Sequence, residues 1–212
     1  DFGAAEQVGI AAVLARYGFE ADEERIRLYH RINGAAWAAF ERGEVTKGRL
    51  VEERFETFFQ ELGKNVNGRE AEDLYRSYLD QSAVLIDGAE DICRYLKERG
   101  YGLYVVTNGT STTQYKRLAL SGLDAYMDGI FVSEDAGSQK PQKEYFDYCF
   151  ARIPQADPSR MLLVGDSLTS DIKGGINAGV STCWYNPAGL PEREDIRPDR
   201  QIRRLEELKE LL

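Results

Sequence analysis

The spacing of apolar residues changes once along the chain, and the change separates two parts of different fold class. Residues 4–81 show only helical spacing, in four segments separated by glycines or by polar N-cap residues. After Ile86-Asp87-Gly88, short apolar runs alternate with helical segments. That alternation is typical of a parallel sheet with helices on both faces. We therefore predict a small α-helical bundle over residues 1–84 and a Rossmann-like α/β domain over residues 85–212.

The second part is predicted to contain four parallel strands. Ligands of such sheets bind outside the carboxyl ends of the strands, so the residues that follow each strand are the candidate site. The predicted strands cover residues 102–107, 129–133, 161–165 and 181–185. The predicted helices cover residues 89–99, 112–121, 142–153, 170–178 and 202–211.

Charge and composition indicate which classes of ligand and which cellular environment the chain suits. The chain has 27 basic and 36 acidic residues, a net charge of −9, which argues against a nucleic-acid polymer. No apolar run approaches the ~20 residues of a membrane span. Cys93, Cys149 and Cys183 are far apart, which predicts buried thiols in a reducing compartment, the cytoplasm. A small anion remains possible where positive charge, a metal or backbone N–H groups collect.

Two acidic residues follow the predicted strand 161–165. Asp166 comes directly after it, and Asp171 lies about one turn into the next helix, so both carboxylates can face the same point. Two carboxylates suit a hard divalent cation, most simply Mg²⁺. The alternative is that both carboxylates serve only to stabilise the start of the helix, through the partial positive charge of its N-terminus.

Two further strand ends carry groups that suit an anion. Thr107-Asn108-Gly109 offers a hydroxyl and backbone N–H groups, although an ordinary helix cap explains it equally well. Lys140-Pro141 places a lysine just before a predicted helix, although a surface lysine needs no special explanation. The glycine-rich loops that bind nucleoside triphosphates and dinucleotides are absent.

The order and spacing of these motifs resemble the haloacid dehalogenase-like superfamily of phosphohydrolases. Its second, third and fourth motifs match residues 105–109, Lys140-Pro141 and residues 164–171. The helical part falls where that family inserts its type-1 cap domain. The resemblance therefore covers essentially the whole chain.

Within the superfamily the chain most resembles the bacterial pyrimidine-nucleotide 5′-phosphatases. The shared features include Asn33-x-x-x-Trp37, Lys140-Pro141-x-Lys143 and Thr182-Cys183-Trp184. This resemblance implies a small phosphorylated substrate, such as a nucleoside 5′-monophosphate. Asn33 and Trp37 are then the best candidates to contact the base, although Trp37 is also expected in the core of the bundle.

The family mechanism implies a role for each matched residue. A nucleophilic aspartate forms an aspartyl-phosphate that water hydrolyses, and Mg²⁺ neutralises charge on the transferring phosphoryl group. By resemblance, Asp166 would bind the metal, and Asp171 would bind a metal water or orient Lys140. Thr107-Asn108-Gly109 would hold phosphoryl oxygens, and Lys140 would stabilise the charge of the nucleophile and the phosphate.

The first motif of the family, Asp-x-Asp at the end of the first strand, is absent from the chain. The resemblance places it immediately before Asp1, so we expect the 212 residues alone to lack the nucleophile and to be inactive. The alternatives are a phosphate-binding protein without catalysis, a dehalogenase or a phosphomutase. Gly165-Asp166 argues against the last two, because their patterns differ at this site.

Overall fold

The computed structural model describes residues 1–212, which form two compact units, Asp1–Val84 and Leu85–Leu212. Each unit has its own apolar core. No helix in either unit is both long enough and apolar enough to cross a membrane.

The first unit contains four α-helices. Each begins after a residue whose side chain accepts a hydrogen bond from the backbone N–H three positions further on, which satisfies one of the free donors of a helix start. These N-cap residues are Asp1, Asp22, Thr46 and Asn67. The helices are α1 (Phe2–Arg16), α2 (Glu23–Glu41), α3 (Lys47–Glu61) and α4 (Gly68–Leu79).

Aromatic rings fill the core of the helical unit. The Tyr29 ring stacks on Phe55 at 5.7 Å between centroids and meets Phe58 edge-on at 5.6 Å. Phe55 in turn meets Tyr75 of α4 at 5.5 Å. Offset and edge-on geometries of this kind add to the stabilisation that burial of the rings provides.

A chain of polar side chains also crosses this unit, and every helix contributes to it. Arg54 of α3 and Glu72 of α4 are 4% and 5% exposed, and Arg54 Nη2 donates to Glu72 Oε2 at 2.5 Å. Arg54 Nη1 donates to Asn33 Oδ1 of α2 at 2.7 Å, and Asn33 Nδ2 donates to Glu6 Oε1 of α1 at 3.3 Å. The Tyr75 hydroxyl donates to the same Glu6 oxygen at 3.3 Å. The bundle therefore has a polar as well as an apolar interior.

The second unit contains five strands and six α-helices. The strands are β1 (Tyr104–Thr107), β2 (Gly129–Val132), β3 (Leu162–Gly165), β4 (Ser181–Tyr185) and β5 (Arg200–Ile202). The helices are α5 (Ala89–Glu98), α6 (Ser111–Ser121), α7 (Ser133–Ala136), α8 (Lys143–Phe150), α9 (Lys173–Ala178) and α10 (Leu208–Leu211). Short 3₁₀-helices cover Leu123–Tyr126, Pro158–Arg160 and Leu205–Glu207, and a π-helical turn covers Leu168–Ile172.

All strand pairs are parallel, as the sequence predicts, but they form two separate groups. β1 pairs with β2 in the register Val106↔Phe131, and β3, β4 and β5 form the second group in that order. β1 and β3 are not paired with each other. Each of these two strands therefore has one edge without a partner strand.

Helices cover both faces of the sheet, which confirms the predicted fold class. Leu162 and Val164 of β3 pack in one apolar cluster with helix α5. Leu163, between them, packs in another cluster with helix α8. This alternation follows from the strand geometry, in which successive side chains point to opposite faces.

Several predicted boundaries are wrong. The predicted helix over residues 202–211 begins instead at Leu205, because Arg200–Ile202 forms strand β5 beside β4. The predicted strand over residues 102–107 begins at Tyr104, since the Leu103 amide donates to Asp128 Oδ2 at 2.8 Å. The helix predicted to start at residue 170 begins two residues earlier as the π-helical turn.

Helix α7 was not predicted, and the helix predicted over residues 142–153 spans only Lys143–Phe150. The cysteines are unpaired, as predicted. Cys149 and Cys183 are buried, whereas Cys93 is only half-buried.

The buried Arg54–Glu72 pair yields a stability prediction. Glu72→Gln leaves the Arg54 charge buried beside a neutral amide, so we expect it to lower the free energy of unfolding by about 3 kcal/mol. Urea denaturation followed by far-UV circular dichroism measures this change. Asp73→Asn, at the exposed neighbouring position of the same helix, is the matched control and should change stability by less than about 0.5 kcal/mol. Equal effects of the two variants would contradict the role of the pair.

Candidate active site

Lys140 lies at the centre of the candidate site and is only 7% exposed. Its ammonium donates to Asp171 Oδ1 at 2.6 Å and to the Val106 carbonyl of β1 at 2.8 Å. The sequence predicts a convergence of residues from different strand ends, and the structure shows it for these groups. A buried ammonium needs such partners, because burial without them costs several kcal/mol.

Asn108 fixes the backbone of Lys140 through its side chain. Asn108 Oδ1 accepts from the Lys140 N–H at 2.9 Å, and Nδ2 donates to the Lys140 carbonyl at 2.9 Å. Nδ2 also lies 3.3 Å from Ser170 Oγ. Only the backbone of Asn108 was predicted to take part in the site, so this clamp by its side chain was not predicted. No sequence signal reveals this contact, because the burial of the Asn108 amide and its partner 32 residues away are known only from the structure.

Thr107 and Gly109 form a tight turn at the end of β1. The Gly109 N–H donates to Thr107 Oγ1 at 3.0 Å, and the Thr107 N–H donates to the Tyr145 hydroxyl at 3.0 Å. A side chain at Gly109 would meet Gln114, because an ideal Cβ there lies 2.1 Å from Gln114 Nε2. The residues on either side of Thr107, Val106 and Asn108, both contact Lys140, so the turn follows directly on the Lys140 contacts in the chain.

The two predicted metal ligands have different surroundings. Asp171 is 7% exposed, and Oδ1 and Oδ2 accept from Lys140 and from the Ser167 N–H, the latter at 3.1 Å. Asp166 is accessible to solvent and forms no ion pair, although protein atoms surround its carboxyl group on most sides. Those surroundings raise the pKa of Asp166, and the nearby Asp171 charge raises it further.

Gly165 allows Asp171 to lie over the end of β3. An ideal Cβ at Gly165 would lie 2.3 Å from Asp171 Cγ, a distance that no side chain tolerates. The π-helical turn that follows carries Asp171 back to this position, and the Ser167 side chain begins it by accepting from the Ser170 N–H at 3.1 Å.

Trp184 and Glu134 each bond to a backbone group next to the strand-end motifs, and neither role was predicted from the sequence. Trp184 of β4 is buried, and its indole Nε1 donates to the Asp166 carbonyl at 2.9 Å. Glu134 Oε2 accepts from the Ser111 N–H at the start of α6 at 2.9 Å. A buried tryptophan usually finds a partner for its N–H, but the sequence does not reveal which carbonyl accepts it.

The predicted base-contacting residues, Asn33 and Trp37, belong to the helical unit. Both amide atoms of Asn33 take part in the polar chain described above. The Trp37 ring meets Phe40 edge-on at 5.9 Å, and the Lys47 ammonium lies 5.1 Å from its centroid. Both residues therefore have contacts within their own unit, and their role in binding stays a prediction.

This arrangement can stabilise negative charge. Lys140 supplies a fixed positive charge, and the turn after β1 supplies the Thr107 hydroxyl, which accepts from the Gly109 N–H and keeps its hydrogen to donate. Asp166 supplies an accessible carboxylate that suits a hard cation. No cluster of three or more potential metal-ligating side chains occurs in the structure.

Comparisons with known proteins agree with this description. The model of a family of hydrolases, the haloacid dehalogenase-like hydrolases, matches residues 5–179. Over 100% of its length the chain is 45% identical to the HAD-hydrolase YfnB of Bacillus subtilis, of which it covers 90%. It is 35% identical, with the same coverage of both proteins, to the pyrimidine 5′-nucleotidase PynA of Streptococcus pneumoniae. Over 96% of its length it is 32% identical to the pyrimidine 5′-nucleotidase YjjG of Escherichia coli, of which it covers 89%.

Solved structures show the same fold. The crystal structure of YfnB bound to magnesium superimposes with a TM-score of 0.93 over 100% of this chain and 92% of that one, at 45% identity. The L-2-haloacid dehalogenase of Xanthobacter autotrophicus reaches a TM-score of 0.77 over 97% of this chain and 91% of that one. At 15% identity this second similarity concerns the fold alone. With the family match, the relatives and the strand-end site together, the chain belongs to the haloacid dehalogenase-like hydrolases.

Proposed function

We propose that the protein is a Mg²⁺-dependent phosphomonoesterase that acts on a small phosphorylated substrate, a nucleoside 5′-monophosphate. The observation that carries the proposal is the buried Lys140 ammonium, held between Asp171 and the Val106 carbonyl beside the Thr107 turn. A fixed cation beside a hydroxyl group that can donate suits a phosphoryl group. The two nucleotidase relatives, PynA and YjjG, support the choice of substrate.

Lys140 has a donor left for the substrate. An ammonium has three N–H donors, and the structure uses two of them, one on Asp171 and one on Val106. The third can contact a phosphoryl oxygen. Because Asn108 holds the Lys140 backbone on both sides of the residue, the ammonium needs little rearrangement when charge develops on the phosphoryl group.

Asp166 and Asp171 fit a magnesium ion. The Asp166 carboxylate forms no ion pair within the protein. Burial and then the nearby Asp171 charge raise its pKa, and a bound cation would oppose that shift. Asp166 would hold the ion directly, whereas Asp171, whose oxygens already accept from Lys140 and Ser167, would act through water. Bound Mg²⁺ would neutralise charge on the phosphoryl oxygens.

The nucleophile is the component that these 212 residues do not supply. They contain no Asp-x-Asp, the motif that the family uses for this purpose. β1 and β3 each have one edge without a partner strand. We propose that a preceding strand carrying the motif pairs at these edges, and that the 212 residues alone do not hydrolyse phosphate esters.

Metal dependence provides a direct test. In a longer chain with the upstream residues, we expect nucleoside monophosphates to release phosphate with Mg²⁺ and not with a chelator. The 212-residue chain should release none under either condition. Phosphate release is measured colorimetrically across a panel of nucleoside monophosphates and sugar phosphates. An inactive longer chain with an intact Asp-x-Asp would contradict the proposal and favour a phosphate-binding protein without catalysis.

Lys140 provides a second test in the longer chain. Lys140→Met removes the charge that faces the phosphoryl group, so we expect kcat to fall by about 10²-fold or more. Lys143→Met is the matched control, because Lys143 is exposed and pairs only with Asp147 one turn further along α8. Steady-state kinetics measure both variants, and circular dichroism checks that each is folded. A Lys140→Met enzyme with the kcat of the control would exclude this role for Lys140.

A further inference from the structure

Tyr145 is a buried polar residue to which the proposed chemistry assigns no role. It lies on helix α8 with no exposed surface. Its ring packs edge-on against Phe146 at 5.5 Å, in the apolar cluster that also contains Phe131 and Cys149. A phenylalanine would fill the same volume. The hydroxyl group is therefore the feature that requires an explanation.

The Tyr145 hydroxyl bridges two strands at their carboxyl ends. It donates to the Phe131 carbonyl of β2 at 2.7 Å and accepts from the Thr107 N–H of β1 at 3.0 Å. Thr107 is the last residue of β1, paired in register with Val132. A phenolic hydroxyl has one hydrogen, so donation to the carbonyl leaves its lone pairs for the amide. Burial raises the pKa of Tyr145, which keeps the hydroxyl protonated.

Helix α8 is thereby linked both to Lys140 and to the turn that contains Thr107. Lys140 lies three residues before the helix begins, and Asn108 holds its backbone. Tyr145, in the first turns of the same helix, holds the backbone N–H of Thr107. The Thr107 hydroxyl in turn accepts from the Gly109 N–H. One rigid element thus fixes the separation between the lysine and the turn after β1.

We propose that the Tyr145 hydroxyl is a positioning group, which holds the Thr107 turn at the distance from Lys140 that phosphoryl binding needs. The inference rests on the proposed phosphatase function and deepens it. Without the hydroxyl, the Thr107 N–H and the Phe131 carbonyl lose a common partner, and the end of β1 can move. Such a displacement of the phosphoryl-binding groups lowers the rate of the reaction even though no group that touches the substrate has changed.

Tyr145→Phe in the longer, active chain tests this role. We expect kcat/KM for a nucleoside monophosphate to fall about tenfold, because the phosphoryl site is misplaced. The affinity for inorganic phosphate with Mg²⁺, measured by calorimetry, should also fall. Tyr148→Phe is the matched control, since Tyr148 lies on the same helix with its ring against Phe131 and Arg152. It should leave both quantities within about twofold of the wild type.

Hydrogen exchange separates positioning from a general loss of stability. In Tyr145→Phe the amides at the end of β1 should exchange faster than in the wild type, while those of β4 should not change. Faster exchange throughout the unit, or an unchanged kcat/KM in an active enzyme, would overturn the positioning role. A wild-type enzyme that neither hydrolyses any phosphate ester nor binds inorganic phosphate would instead overturn the proposed function, and this inference with it.

Discussion

The candidate site is arranged around one interaction, that of the buried Lys140 ammonium with its partners. Removing such a charge from water costs several kcal/mol, which only close and well-oriented partners can offset. The partners come from separate segments, since Asp171 follows β3 and the Val106 carbonyl belongs to β1. Gly165 has no side chain where Asp171 passes, and Asn108 holds the lysine backbone. Gly165 and Asn108 thus both help to place Lys140 and Asp171 in contact.

The sequence predicted the fold class and most of the strand-end residues, because both follow from short-range patterns. Apolar runs alternating with helical spacing indicate a parallel sheet, and the carboxyl ends of its strands gather whatever follows them. The Asn108 clamp could not be predicted, because its partner lies 32 residues away in the chain. Strand β5 was missed for a similar reason: Arg200–Ile202 has one buried apolar residue and becomes a strand only through pairing with β4.

The helical unit gives Asn33 a structural contact that its residue type does not reveal. Its amide joins Glu6 to Arg54 within the bundle, while its predicted contact with a base stays a prediction. Each helix contributes a side chain to this polar chain, so hydrogen bonds as well as ring packing connect the four helices. Polar groups inside a bundle can select one arrangement among several of similar apolar content, and we infer that these residues do so here.

The two tryptophans of the chain fall one in each unit. Trp37 lies half-buried on α2 against Phe40 and the Lys47 ammonium, whereas Trp184 is buried on β4 with its indole N–H on the Asp166 carbonyl. Their emission should therefore differ in wavelength and respond to different events. The fluorescence of a chain with only Trp37 would report on the bundle, and that of a chain with only Trp184 on the backbone at Asp166. The protein thus carries an intrinsic fluorophore for each unit, without any added label.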